Sequence, residues 1–339
     1  MPDRRCPVSD RSLLSPWVRR FLLEHLVAER NFALNTQRSY RDTLALLLPF
    51  VSARSGTAID RLSVDHLSAA AVRAFLEHVE RQRRCSVATR NQRLGAIRSL
   101  ARFIGTHAPE YLAWCTELRS IPFKKTAKTI IGYLEKPELD ALLQAPDRRT
   151  TLGARDHALL LFLYNTGARA DEAARLLAGN LQLGTSASVR ILGKGNKWRV
   201  CPLWPATAAV LRSLVTGAGP GDPVFRGRTG GPLTRFGVHR LVAAYGKAAT
   251  VRVPALTTKR VSPHTLRHTT AVHLLRAGVD INTIRAWLGH VSLDTTHVYA
   301  EVDLDMKAKA LASVDIADLP TSVRRRTPMP SLMEFLRGL

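Results

Sequence analysis

The sequence predicts a mainly α protein with a small β-sheet, folded as two domains. Most of its 339 residues fall in stretches whose apolar positions recur at helical spacing. Two short β runs flank the glycine-rich segment Gly193-Lys194-Gly195-Asn196, a hairpin signal. From Arg119 to Ile131, RSIPFKKTAKTII loses helical periodicity and gains Pro122 with three lysines (Lys124, Lys125 and Lys128), so it reads as an extended basic linker. The expected boundaries are a helical domain over 1–118, the linker over 119–131, a second domain over 132–318 and a tail over 319–339.

In the first domain, residues 1–14 are polar, and Ser15-Pro16 opens a helix with Trp17, Phe21, Leu22 and Leu26 on one face, ending near Asn31. Asn35 or Thr36 caps the next, in which Tyr40, Leu44, Leu47, Leu48 and Val51 keep helical spacing. A third helix covers roughly Ala70 to Arg81. Ser86 caps a fourth, stopping at Gly105, with Leu94, Ile97, Ala101 and Ile104 as its core stripe. Arg90, Arg93, Arg98 and Arg102 crowd the rest of that helix. Only basic residues appear there, which favours contact with a DNA backbone over a merely solvated face.

The second domain starts with a helix from about Lys136. Leu159, Leu160, Phe162 and Leu163 then mark a heavily buried helix, broken at Thr166-Gly167. Arg169 stands at the entry of the helix that follows, with Asp171 and Glu172 in its first turn. The acids suit the positive end of the helix dipole; Arg169 opposes it and points to an anion docking there. After the hairpin, Gly217 to Arg235 reads as loop, Arg235 to Ala249 as helix and Val251 to Val261 as an insertion.

Ser262 to Tyr299 carries the densest chemistry. Ser262 and Pro263 read as N-cap and first helical position, and Gly278 as the stop. His264 and Arg267, three residues apart, share one side of the first turns, again cations where a phosphate would fit. Asp280 or Asn282 starts another helix with Ile281, Ile284 and Leu288 as a buried stripe; Gly289 closes it, leaving His290 just beyond. Ser292 caps a short helix that carries Tyr299. In the tail, Leu332, Phe335, Leu336 and Leu339 make one apolar stripe.

Composition narrows the partners. Fifty Lys plus Arg against 27 Asp plus Glu leave a net charge of +23, which favours a polyanion. Hydrophobic residues at 45% supply a sizeable core. Cys6, Cys85, Cys115 and Cys201 form no C-x-x-C pair, so neither a disulfide framework nor a zinc ribbon is indicated. The first residues lack an apolar signal core, and no apolar run reaches membrane-spanning length, so a bacterial cytoplasm is the expected location.

Taken in order, HTLRH, LGH and a tyrosine nine residues on resemble the catalytic region of the tyrosine recombinase (phage integrase) family, including its Xer-type members. TGARADE resembles the family's first arginine motif, and ERNFALNTQRSYRDTL, more weakly, its helical core-binding domain. The resemblance implies a DNA recombinase that cuts and rejoins strands through a 3′-phosphotyrosine and a Holliday junction. It implies catalytic roles for Arg169, Lys194, His264, Arg267, His290 and Tyr299, with Glu172 in support. Arg169 and Arg267 would hold the phosphate, Lys194 (with Lys197 as rival) would protonate the leaving oxygen, and His264 would act as general base or acid. The implied partners are double-stranded DNA with inverted-repeat sites and three further subunits in a tetramer, either copies of this chain or other recombinase subunits. No metal, ATP or other cofactor is expected. The rival readings are a silent DNA-binding regulator on the same fold, a metal-dependent nuclease built on His264, His268, His273, His290 and His297, and a type IB topoisomerase.

Overall fold

The structure, a computed structural model, describes residues 12–126, 132–193 and 195–289. Lys128, Lys194, His290, Tyr299 and the tail helix lie outside the described residues. The chain divides into two compact units, Met1–Thr129 and Ile130–Leu339, and the predicted class holds: mostly helix, with one small antiparallel sheet.

The first unit contains α1 (Leu14–Arg20), α2 (Leu34–Ser55), α3 (Ala69–Arg81), α4 (Val87–His107) and α5 (Leu112–Ser120). Phe21, Leu47, Phe75, Leu76, Leu94, Ile97 and Ile104 are fully buried in its core. Each large side chain removed from water contributes roughly 1.5–3 kcal/mol before ordering costs. Several local expectations are corrected. The first helix begins at Leu14 and passes into a π-helical stretch over Phe21–Glu29. The second begins at Leu34 behind Ala33, and neither Asn35 nor Thr36 caps it. The fourth is capped by Ser86, whose side chain accepts from Thr89 N, but it runs through Gly105 to His107. Gly105 is a packing position: a methyl group there would stand 3.0 Å from Cys115 Cβ, so the glycine lets α5 lie against α4.

The start of the expected linker is pinned to this unit. Arg119 is still helical in α5, and Arg90 donates to Pro122 O at 3.0 Å. Arg98 donates to Ile121 O at 2.6 Å and to Arg119 O, with its guanidinium 4.5 Å from the Phe123 ring. Asn91 and Lys124 exchange side-chain-to-backbone hydrogen bonds in both directions.

The second unit is built around α7 (Thr151–Thr166), which is buried on almost every side because helices and the sheet enclose it. Around it lie α6 (Lys136–Leu143), α8 (Ala170–Ala174), α9 (Pro205–Leu214), α10 (Arg235–Ala249), α11 (Pro263–Arg276) and α12 (Ile281–Leu288). The sheet comprises β1 (Leu181–Gln182), β2 (Ser188–Leu192) and β3 (Trp198–Pro202), in that order and antiparallel throughout. Leu192 pairs with Trp198, so the predicted hairpin closes over 193–197.

The end of α7 decides how the site is assembled. The last carbonyls of a helix have no partner within it. Here Tyr164 O receives Thr270 Oγ1 at 2.6 Å, Asn165 O receives Trp287 Nε1 at 3.0 Å, and Gly167 O receives Arg267 Nη1 at 2.6 Å. Gly167 supplies the left-handed cap at φ 58°, and an added Cβ would meet Leu288 Cδ2 at 2.3 Å, so α11 and α12 both seat on this one helix end.

The segment entering the second unit is fastened to α11. Leu134 N donates to Thr269 Oγ1 at 2.9 Å, while Arg276 donates to Glu135 and to the Tyr133 hydroxyl. Lys259, within the expected insertion, donates to Tyr133 O and pairs with Glu138 at 2.6 Å.

Candidate active site

Arg169 occupies the N-cap of α8. Its backbone N–H donates to Glu172 Oε2 at 2.9 Å and its guanidinium to Glu172 Oε1 at 2.7 Å, so the side chain is oriented while 32% of it stays exposed. Glu172 is almost wholly buried. Burial alone would raise its pKa, but Arg199 first and Arg169 second hold the carboxyl below the usual range. It therefore stays ionised.

Ser262 caps α11 by accepting from Thr265 N at 3.2 Å, with Pro263 in the first turn, as the spacing predicts. His264 is exposed on that turn, yet its pKa lies below the ordinary histidine value. Partial loss of solvent is the main cause, followed by repulsion from His239, Arg267 and Arg169. Each of these neighbours thus lies within electrostatic reach of His264, and the His239 and His264 ring centres are 6.2 Å apart. Histidine kept neutral near pH 7 can accept a proton. Arg267, 3% exposed, reaches from the same helix to Gly167 O and Leu288 O, both at 2.6 Å.

α12 leads to the next candidate. Asp280 caps its start by accepting from Asn282 N and Thr283 N; Ile284 and Leu288 are buried, whereas Ile281 is only half-buried. Gly289, left-handed at φ 66°, ends it immediately before His290. The hairpin leads to another, since Gly193 directly precedes Lys194. Of the six expected catalytic residues, the structure brings together Arg169, His264 and Arg267, with Glu172 behind them.

Two residues near this cluster were not singled out from the sequence. His239, on α10, faces His264. Arg199, on β3, pairs with Glu172 at 2.8 Å and donates through Nε to Trp287 O at 3.0 Å. A signal for Arg199 existed: in WRVCP, strand alternation places Arg199 on one face with Cys201, the buried face.

The basic residues of the first unit part company. Arg90 is buried and donates to Pro122 O, while Arg98 donates to Ile121 O, so both engage the chain that follows α5. The helix needs them to hold the chain that follows α5, whose carbonyls would otherwise lack donors. Arg93 is half-buried and Arg102 exposed. Lys124 pairs with Glu80 at 2.7 Å while keeping half its side chain exposed; Lys125 is exposed. Among the described residues, no group of three or more His, Cys, Asp or Glu is placed to hold a metal ion, and His273 instead meets the Tyr164 hydroxyl at 2.9 Å.

Arginines beside a histidine of lowered pKa, at the starts of helices, have the charge and hydrogen-bonding geometry that suit an anionic group. Residues 132–305 match the Phage integrase family and residues 19–105 match the Phage integrase N-terminal SAM-like domain. The chain belongs to that family, the tyrosine recombinases, and is a site-specific recombination enzyme that acts on DNA. It is 39% identical over 96% of its length to a protein of Sinorhizobium fredii (strain NBRC 101917 / NGR234) named "Putative integrase/recombinase y4rC", 98% of which is covered. It is 32% identical over 85% of its length to tyrosine recombinase XerC of Pelobacter propionicus (strain DSM 2379 / NBRC 103807 / OttBd1), covering 91% of that protein. The fold is shared with the XerH recombinase in its pre-cleavage complex with difH substrate, at a TM-score of 0.63 and 23% identity, over 84% of this chain and 81% of that one. It is shared too with the Tn1549 transposon integrase in complex with circular intermediate DNA, at 0.64 and 16%, over 88% and 99%.

Proposed function

We propose that Tyr299 is the nucleophile of this recombinase, and that it joins the 3′ phosphate of a cut strand while the 5′ oxygen leaves. The attacking phenol loses its proton to His264, whose lowered pKa leaves it unprotonated near neutrality. Arg169 and Arg267 hold the non-bridging oxygens as the phosphorus gains charge, because a guanidinium is planar, permanently charged and able to bind both at once. His290 donates a further hydrogen bond to the phosphate. Lys194 delivers a proton to the departing oxygen. The bond energy is kept in the phosphotyrosine, so a second 5′ hydroxyl can attack, expel Tyr299 and reseal the strand. These groups supply charge and protons from side chains alone, and the reading requires neither metal nor nucleotide.

The observation that carries this is the grouping of Arg169, Arg267 and His264 at the start of α8 and α11, close enough for both arginines to depress the histidine. In the same reading, residues 1–118 form a second DNA-binding domain and four copies assemble on paired inverted-repeat sites in a bacterial cytoplasm. The relatives named integrase or tyrosine recombinase support that choice of reaction.

The test is Tyr299→Phe on a nicked recombination site. The parent protein should become covalently attached to DNA on a denaturing gel, while the variant binds the site with unchanged affinity and forms no adduct. An adduct with the phenylalanine variant would reassign the nucleophile. A parent protein that binds and never attaches would leave a DNA-binding regulator on the same fold.

A further inference from the structure

Arg199 touches Glu172, the partner of Arg169, and lies against Gly193 and Gly289, the residues that precede Lys194 and His290 in the sequence. On β3 it is flanked by exposed Trp198 and Val200, while its own side chain turns inward and is only 8% exposed. A buried guanidinium needs partners for its charge and its N–H groups. Arg199 finds them on two separate elements. Nη2 meets Glu172 Oε2 at 2.8 Å, and Nε meets Trp287 O at 3.0 Å, near the end of α12.

Its surroundings connect these contacts to the chemistry. Glu172 is the carboxylate that holds the backbone and the guanidinium of Arg169. Trp287 O lies in the last turn of α12, and a methyl group added to Gly289, the residue before His290, would stand 3.1 Å from Arg199 Cδ. A methyl group on Gly193, the residue before Lys194, would stand 3.4 Å from Arg199 Nη1 and 3.5 Å from Glu172 Oε1. The cation also sits at the negative end of the α12 dipole, where positive charge is favourable. Glu172 thus faces Arg199 and Arg169 together, and Arg199 is wedged between Gly193 and Gly289.

We propose that Arg199 is a positioning residue for strand cleavage: one buried guanidinium fixes Arg169 through Glu172, His290 through the end of α12, and Lys194 through the base of the hairpin. The inference rests on the catalytic roles given above to those three groups. A fork is required, because the two acceptors lie on different elements and are met by different nitrogens. An ammonium in the same place has no fixed geometry with which to satisfy both. Small displacements suffice for a large effect, since a misplacement of about 1 Å at a reacting centre can cost on the order of 100-fold in rate.

The test compares Arg199→Lys and Arg199→Ala with the parent protein in three measurements: half-site affinity, single-turnover cleavage of a nicked site, and cleavage of the same site with a 5′-thio leaving group. The expected result is affinity within about twofold of the parent, with cleavage slowed at least tenfold in the lysine variant and on the order of 100-fold in the alanine variant. The thio substrate, whose leaving group needs no proton, should recover part of that loss because Lys194 is one of the displaced groups. A purely structural arginine would slow both leaving groups equally and weaken binding in step. That result, or an Arg199→Lys variant that cleaves like the parent, overturns the proposal. Arg199→Lys keeps the charge and volume of the site, so it carries the comparison if the alanine variant does not fold. A parent protein that forms no adduct at all would instead overturn the catalytic reading itself, and this inference with it.

Discussion

Arg267 caps the carbonyl of Leu288, 2.6 Å away, at the end of the helix that runs into His290. The same guanidinium holds Gly167 O, at the end of α7. A residue assigned to phosphate is therefore also a joint between two helix ends, buried where water cannot replace it. Arg169, with a third of its side chain exposed, is tied instead to one buried carboxylate, Glu172, which Arg199 also holds.

The two arginines should consequently fail in different ways. Arg267→Ala should abolish adduct formation and lower stability by about 2–5 kcal/mol, since two carbonyls lose a charged donor at once. Arg169→Ala should abolish adduct formation and destabilise less than Arg267→Ala, because Glu172 keeps Arg199 and the backbone N–H of position 169 as donors. Urea unfolding beside the adduct assay distinguishes them; equal destabilisation by both would contradict the difference in burial.

Protonation of α11 should separate activity from stability. His264, with its pKa lowered, should give a cleavage profile whose acid limb falls below the ordinary histidine value of 6.5 and disappears in His264→Gln. His268 is pushed down to about 4, chiefly by burial and then by His264 and Arg267. The unfolded chain therefore takes up a proton there before the folded chain does. Stability should be full above pH 6.5 and decline between about 6.5 and about 4. The most this one group can remove is about 3 kcal/mol, less what solvent screening takes away. Unfolding midpoints across that range should flatten in His268→Gln.

Lys194→Ala should slow cleavage of an ordinary 5′ oxygen far more than of a 5′-thio leaving group. Equal slowing of the two would make Lys194 a contact and turn attention to Lys197 as the proton donor.

In the first unit, Arg102→Ala should lower the salt dependence of DNA binding by about one unit of slope, because an exposed arginine on a phosphate releases about one counterion. Arg98→Ala should leave that slope nearly unchanged and instead lower the melting temperature, since its donors go to Arg119 O and Ile121 O. A slope that falls with Arg98 would restore it to the DNA face.

These arginines also show how far the sequence is legible. Helix starts written in local chemistry are readable: Ser86 and Ser262 cap where their spacing says, Asp280 is the one of the two offered caps that is used, and Arg169 stands at the entry of α8. The hairpin was readable from its turn glycines. Features decided by distant packing were not. Gly105 looks like a stop signal but is a gap filled by Cys115, and α5, which causes that gap, is too short to show a clear period. Similarly, Arg90 and Arg98 look like a solvated basic face until the chain after α5 folds back over them. Helix α9 lies between the hairpin and the glycine-rich loop, and Pro205 at its first position is the one local mark of its start. Arg199 needed the strand's inward face, and the partners that explain it lie 27 and 88 positions away.

The bond from Leu134 N to Thr269 Oγ1 has a mechanical meaning as well. With Tyr133 and Glu135 tied to Arg276, the chain enters the second unit already clasped to both the middle and the end of α11. A pull on residues 133–135 would therefore reach the helix that carries His264 and Arg267 directly through these bonds.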